Sequence, residues 1–275
     1  AHFLARVRKP TVLTYHSDIV KQKNLLKVYK PLMNRFLKSI NCIVATSPNY
    51  LETSEVLQHF RLKTRTIPIG LDKNSYPEPS NELLAKWRSK LPEKFFLFVG
   101  VLRYYKGLHT LLDALATHDY PTVIAGTGPE AQKLEQQAKQ LGLKNIVFLG
   151  RVSELDKVAL LQLSFSFVFP SHLRSEAFGI SLLEAAMYGK PLISCEIGTG
   201  TTFININQEK GLTIAAESPN ELRQAMQHLW NNPNIAHNMG KAAQARYNEL
   251  FTSEKTAQQY VELYQSLTNQ KASDE

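Results

Sequence analysis

The chain has 275 residues, 43% hydrophobic, 20% charged and 9% aromatic, enough length and apolar content to bury a substantial core in one large or two modest domains. This composition excludes disordered chains and small disulfide-stapled scaffolds. The net charge of +8 is unevenly placed: residues 1–90 carry 16 basic and 6 acidic side chains and residues 91–275 carry 16 and 18, a basic front joined to a nearly neutral back that implies two domains with different partners.

In the front, Thr11–Tyr15, Cys42–Ala45 and Thr64–Pro68 read as strands, with helices around Tyr29–Lys38 and Tyr50–His59 between them. Three parallel strands make a thin sheet, so residues 1–90 read as an incomplete doubly wound domain. The polar stretch Asp72–Ser80, with Pro77 and Pro79, is the boundary region, and Asn81–Lys90 is a short helix leading out of it. From Phe95 the period alternates regularly. Strands at Phe95–Val99, Thr122–Ala125, Asn145–Leu149, Phe165–Phe169 and Pro191–Ser194 are separated by helical patterns at Leu108–Leu115, through Leu134 and Leu141, near Asp156–Leu163 and near Gly179–Tyr188. Strands apolar on both faces, each followed by an amphipathic helix, define a parallel sheet covered on both sides, so residues 91–250 read as an α/β doubly wound domain. Ala242–Leu267 reads as one long helix; residues 251–275 are assigned as a C-terminal helix packing back toward the front domain, with Gln270–Glu275 a frayed tail.

The two cysteines, Cys42 and Cys195, sit in apolar strand-like runs and read as reduced core thiols of a reducing compartment, hence a cytoplasmic location. No apolar run approaches the roughly 20 residues of a membrane span. Residue 1 is Ala, with Arg6, Arg8 and Lys9 close behind, so neither a signal peptide nor an initiating Met is visible.

The strongest chemical constellation is Glu176-Ala-Phe-Gly-Ile-Ser-Leu-Leu-Glu184, between the strand ending at Pro170 and the strand starting at Pro191. With a helix starting near Gly179, Glu184 falls on its second turn and Glu176 in the preceding loop, so both carboxylates face the crevice at the carboxyl end of the sheet. Backbone N–H groups of Gly179, Ile180 and Ser181 then point into the same crevice and favour a phosphate. Competing chemistries fit less well. His16-Ser17-Asp18 has the residue types of a hydrolase triad, but consecutive residues cannot align nucleophile, base and orienter. The eight histidines and two cysteines show no close metal-ligand spacing, so no metal is assigned. Gly126-Thr-Gly128 lacks the third glycine of a dinucleotide fingerprint, and no nucleic-acid-binding signature accompanies the basic front.

These segments, together with Thr14-Tyr-His16-Ser-Asp18, Pro68-Ile-Gly70-Leu-Asp72, Val99-Gly-Val-Leu-Arg-Tyr-Tyr-Lys106-Gly107, Ala125-Gly-Thr-Gly-Pro129, Phe148-Leu-Gly150, Pro170-Ser171 and Gly189-Lys190-Pro191, resemble the retaining glycosyltransferases of the GT-B fold, which carry two Rossmann-like domains and use nucleotide-diphosphate sugars. The resemblance implies that Glu184 accepts from the ribose hydroxyls, Glu176 lies near the sugar hydroxyls, Lys106 neutralises the diphosphate, and Gly126 and Gly128 let the backbone approach the nucleotide. Phe178, Gly179, Ile180 and Ser181 complete the donor cradle, and His16 faces the donor sugar across the cleft. The family has an Arg directly after the glycine of the first strand of this domain; here Val101 stands there, and Arg103, of the same parity on an extended chain, is assigned the second diphosphate cation.

The segment His16–Lys23 is similar to those of bacterial lipopolysaccharide and exopolysaccharide mannosyltransferases. It implies a mannose donor, GDP-mannose before a UDP-hexose, and a glycan or lipid-linked acceptor at the inner face of the cell membrane, which the basic front would meet peripherally. GT-B transferases run to roughly 350–400 residues, so the resemblance also implies that the first part of the front domain is missing. Two alternatives follow: a donor-binding half-enzyme completed by a partner chain, and a nucleotide-sugar 2-epimerase of the same architecture.

Overall fold

The computed structural model describes residues 9–18, 23–118 and 120–274. Ile19–Gln22, part of the segment similar to mannosyltransferases, and the arginines at positions 6 and 8 lie outside the described residues. The chain builds two parallel sheets. In the first, β1 (Val12–Tyr15), β2 (Cys42–Ala45) and β3 (Thr64–Thr66) lie in that order, linked by α1 (Lys23–Ser39), α2 (Pro48–Thr53) and α3 (Glu55–His59). Residues 50–59, read as one helix, are two, because Ser54 is extended: its hydroxyl caps α3 at the Leu57 N–H and donates to Asp18 Oδ1 at 2.8 Å.

α4 (Asn81–Lys90) follows, and Trp87 Nε1–H donates to Asp156 Oδ1 at 2.9 Å. Asp156 belongs to the second layer, so α4 packs with the six-stranded sheet although the charge division at residue 90 groups it with the front.

The second sheet runs through β4 (Phe96–Val99), α5 (Leu108–Leu115), β5 (Thr122–Ala125), α6 (Ala131–Gln140), β6 (Ile146–Gly150), α7 (Glu154–Leu163), β7 (Ser166–Phe169), α8 (Ile180–Met187), β8 (Leu192–Glu196), α9 (Thr201–Ile204), β9 (Gly211–Ala215) and α10 (Pro219–Asn231). β4, β5 and β7 are buried at every residue, as a parallel sheet with helices on both faces requires. The sixth strand, β9, escapes the sequence pattern because Gly211 and the polar Thr213 interrupt the apolar run.

α11 (Pro233–Leu250) and α12 (Ser253–Asp274) replace the single helix read over 242–267. The break has a physical cause. Phe251 is buried against Phe178 and Phe203, and its carbonyl accepts from the Leu71 N–H at 2.9 Å while Ser253 N–H donates to Leu71 at 3.1 Å. That short extended pairing leaves helical geometry. α12 then crosses to the first sheet, where Leu263 packs on Cys42, Val44 and Ile67. It continues through the stretch read as a tail, to Asp274. Cys42 and Cys195 are buried and unpaired, and among the described residues no helix is long and apolar enough to cross a membrane.

Candidate active site

The six strands lie in the order β6-β5-β4-β7-β8-β9. The chain leaves β4 toward one edge and returns to β7 to build toward the other, so the loops after β4 and β7 diverge and open a crevice at the carboxyl ends. A cavity of about 570 Å³ lies there. Its walls are Val99–Val101 and Lys106 after β4, Ala125–Thr127 after β5, Arg151 and Val152 after β6, Glu154 and Lys157 of α7, and Glu176, Ile180, Ser181 and Glu184 around the start of α8.

Two glycines allow the loops this proximity. Gly126 has φ 146°, and a Cβ there would lie 1.9 Å from the Gly100 carbonyl oxygen; Gly107 has φ 68°, and its Cβ would lie 1.9 Å from that of Pro170. Only glycine fits either place. Closing Gly107 onto Pro170 brings the short 3₁₀ turn Tyr104–Lys106 against the β7–α8 connection.

That approach creates the first of two ion pairs. Lys106 Nζ, buried over the Phe169 ring at 4.7 Å, donates to Glu176 Oε2 at 2.5 Å, and the buried Ser171 hydroxyl donates to the same oxygen at 3.2 Å. In the second, Glu184 Oε1 accepts from Lys157 Nζ at 2.7 Å and from the Tyr76 hydroxyl at 2.9 Å. Lys157 is also paired with Glu154 at 2.7 Å. Each carboxylate therefore has one oxygen held by protein donors and a second without a hydrogen bond among the described residues. Burial alone would lower the Lys157 pKa, but Glu154 and Glu184 outweigh it and raise the value, so the ammonium persists into alkaline solution. Burial, reinforced by the Glu184 charge, raises Tyr76 well above the ordinary phenol and keeps it a donor.

α8 opens at Gly179 with no side-chain cap, so its first N–H groups, which have no intrahelical acceptor, get none from a cap either, and Ile180 and Ser181 line the cavity. The structure thus brings Lys106, Glu176, Glu184, Gly126, Ile180 and Ser181 around one space. Five sequence-assigned residues do not line it, among them Gly179, which opens α8 against the Phe169 ring, Leu182 and Thr201. Gly128 packs under the Leu102 backbone, Phe178 is buried against Phe251, and His16 is exposed beyond β1 and does not line the cavity. Arg103 is exposed as well: its N–H donates to the Val101 carbonyl at 2.9 Å, a tight turn that cancels the extended parity on which its assignment rests. The cationic side chains that line the cavity beside Lys106 are Arg151 and Lys157. Arg151 directly follows the Phe148-Leu-Gly150 motif, a signal open to a sequence reading; nothing local points Lys157 across 27 residues to Glu184.

A second network joins the two sheets. Arg174, between Ser171 and Glu176, donates to Asp18 Oδ2 at 3.2 Å, to Thr53 Oγ1 at 2.7 Å and to the Gly198 carbonyl at 2.9 Å, with its guanidinium over the Tyr50 ring. Asp18 also accepts from Tyr15 and Ser54. The loop that presents Glu176 is therefore fixed from the three-stranded side.

Residues 79–246 match the family model described as glycosyl transferases group 1. The chain is 62% identical over 252 residues to D-rhamnosyltransferase WbpZ of Pseudomonas aeruginosa, covering 92% of this chain and 66% of that protein. It is 48% identical over 271 residues to O-antigen chain mannosyltransferase C of Escherichia coli, covering 98% and 73% respectively. Among solved structures, HepE of Anabaena in complex with UDP and glucose superposes with a TM-score of 0.79 at 24% identity, covering 96% of this chain and 73% of that one.

Replacing Arg174 with Ala leaves Asp18 without its cation. Urea unfolding is expected to show a loss of about 2 kcal/mol, the scale of hydrogen bonds to charged groups; unchanged stability would show that the clasp contributes nothing.

Proposed function

The chain belongs to the glycosyl transferases group 1 family and has the GT-B fold, and from that premise we propose that it transfers a hexose, mannose first, from a nucleotide diphosphate to a growing cell-surface glycan with retention of anomeric configuration. The observation that carries this reading is the pairing of Lys106 with Glu176 and of Lys157 with Glu184 around one crevice, with the uncapped start of α8 between the two carboxylates. Ribose hydroxyls donate to the available oxygen of Glu184, and sugar hydroxyls to that of Glu176. The diphosphate lies on the N–H groups of Ile180 and Ser181, with Lys106 and Arg151 as cations. As the bond from the anomeric carbon to phosphate breaks, negative charge grows on the leaving phosphate and the sugar acquires oxocarbenium character. The acceptor hydroxyl attacks from the face the phosphate leaves and passes its proton to a phosphate oxygen, so no carboxylate nucleophile or metal is needed. The protein's part is to stabilise the departing charge.

The donor sugar is supported by the names of the two relatives, one a mannosyltransferase and one a D-rhamnosyltransferase. D-rhamnose is 6-deoxymannose, so a shared pocket would read the hydroxyls at C2, C3 and C4. GDP-mannose is the preferred donor, ahead of a UDP-hexose. The chain spans about two thirds to three quarters of those relatives' length, and transfer by these 275 residues alone is part of the proposal. The acceptor is lipid-linked at the cytoplasmic face of the membrane. α1 supports this, since Tyr29 and Leu32 stand 44% and 56% exposed beside exposed Lys30, Arg35 and Lys38, a pattern that suits an anionic interface.

Calorimetry with GDP-mannose, GDP and UDP-glucose, followed by a transfer assay, tests the site. Lys106→Ala and Glu184→Ala are each expected to cut turnover by about a hundredfold, roughly 3 kcal/mol of transition-state stabilisation, with unfolding midpoints near wild type; unchanged binding and turnover in both would refute the assignment. Binding without transfer would favour the half-enzyme reading. Sedimentation with anionic vesicles should carry the chain down and release it at high salt; no sedimentation would remove the membrane contact.

A further inference from the structure

His109, the second residue of α5, His172, in the β7–α8 connection, and Glu217, just ahead of α10, are distant in sequence and converge in space. One potential ligand atom of each lies within 4.8 Å of the other two. His172 Nε2 stands 3.6 Å from Glu217 Oε1, and the His109 and His172 rings are perpendicular with centroids 5.2 Å apart.

His172 is the unusual member. Its side chain is 7% exposed, its Nδ1 has no hydrogen-bond partner among the described residues, and its Nε2 meets Glu217 only beyond hydrogen-bond length. Nε2 is therefore the nitrogen turned toward Glu217, without a hydrogen bond to it, while the buried Nδ1 lies toward Gly107. Burial and the neighbouring His109 hold its pKa below the ordinary value, with Glu217 opposing.

We propose that His109, His172 and Glu217 bind a divalent transition metal of the zinc class, as a brace for the two loops that form the donor crevice. Two imidazoles and a carboxylate are a known zinc donor set, at bond lengths of about 2.0–2.2 Å that leave a fourth position to water. The ligand atoms must draw together by up to about 1.5 Å to reach tetrahedral spacing, and Glu217, 66% exposed in its side chain, can supply that movement by rotating. The brace is local to the site chemistry without entering it. His172 directly follows Ser171, whose hydroxyl holds Glu176, and its own N–H donates to the Tyr105 carbonyl at 3.0 Å, next to Lys106. His109 lies two residues beyond Gly107, the glycine that closes onto Pro170. A metal here would fix the β4 and β7 loops to each other from outside the cavity.

The whole chain, stripped with a chelator and titrated with Zn²⁺, should take up one equivalent and unfold at a higher temperature, and Co²⁺ should give the visible absorption of a tetrahedral nitrogen and oxygen site. Glu217→Gln and His109→Ala should each weaken uptake by more than about tenfold while leaving the metal-free unfolding temperature unchanged. Because Glu217 is exposed, its replacement tests the site without disturbing the core. No uptake by the wild-type chain, or equal uptake by both variants, would overturn the proposal; the latter would mean adventitious binding at surface histidines only. Neither readout depends on donor binding, so failure here leaves the transferase reading intact.

Discussion

Reversal of the strand order between β4 and β7 is the constraint from which the functional geometry follows. Loops leaving two adjacent strand ends in opposite directions cannot pack over the sheet, and a crevice remains where backbone N–H groups and side chains converge. The protein then narrows this crevice with glycine. At Gly107 and Gly126 the neighbouring carbonyl oxygens come so close that no side chain fits, and the resulting contacts carry Lys106 to Glu176. An ion pair with both side chains about nine-tenths buried would be a weak source of stability by itself. Its value is positional: it holds a cation and a carboxylate at fixed places on the wall of the crevice.

The second sheet was largely legible from its sequence, because its strands are short runs apolar on both faces and its helices follow at helical spacing. Thr122–Ala125 and Leu108–Leu115 appear as read. Elements whose ends depend on tertiary contacts were not legible. Ser54 interrupts a helical pattern because its hydroxyl serves Asp18, and Phe251 because its carbonyl pairs with Leu71; neither partner is near in sequence. The site divides in the same way. Glu176 and Glu184 share one crevice because their spacing across a helix start puts them there, whereas Arg103 does not line it, because parity on an extended chain says nothing of a turn closing between Val101 and Arg103. Lys157 and the His109–His172–Glu217 cluster rest wholly on long-range packing, which residue spacing does not encode.

Connections between the two sheets add a further level of organisation. Arg174 reaches from the loop that carries Glu176 to Asp18, Thr53 and the Tyr50 ring, while α12 leaves the six-stranded side at Phe251 and packs Leu263 on the three-stranded sheet. One link is polar and sits beside the crevice; the other is apolar and sits away from it. Movement of the sheets relative to each other would strain the Glu176 loop through Arg174 first, so the two sheets are mechanically linked at the loop that carries Glu176.

The central claim is that the crevice between β4 and β7 holds the nucleotide diphosphate, and a crystal structure of the chain with bound GDP tests it most directly. Phosphate oxygens are expected at the N–H groups of Ile180 and Ser181 and at Lys106 Nζ, with the ribose hydroxyls on Glu184. A nucleotide seated elsewhere, or one in the crevice that leaves Glu184 and the start of α8 without contacts, would contradict it.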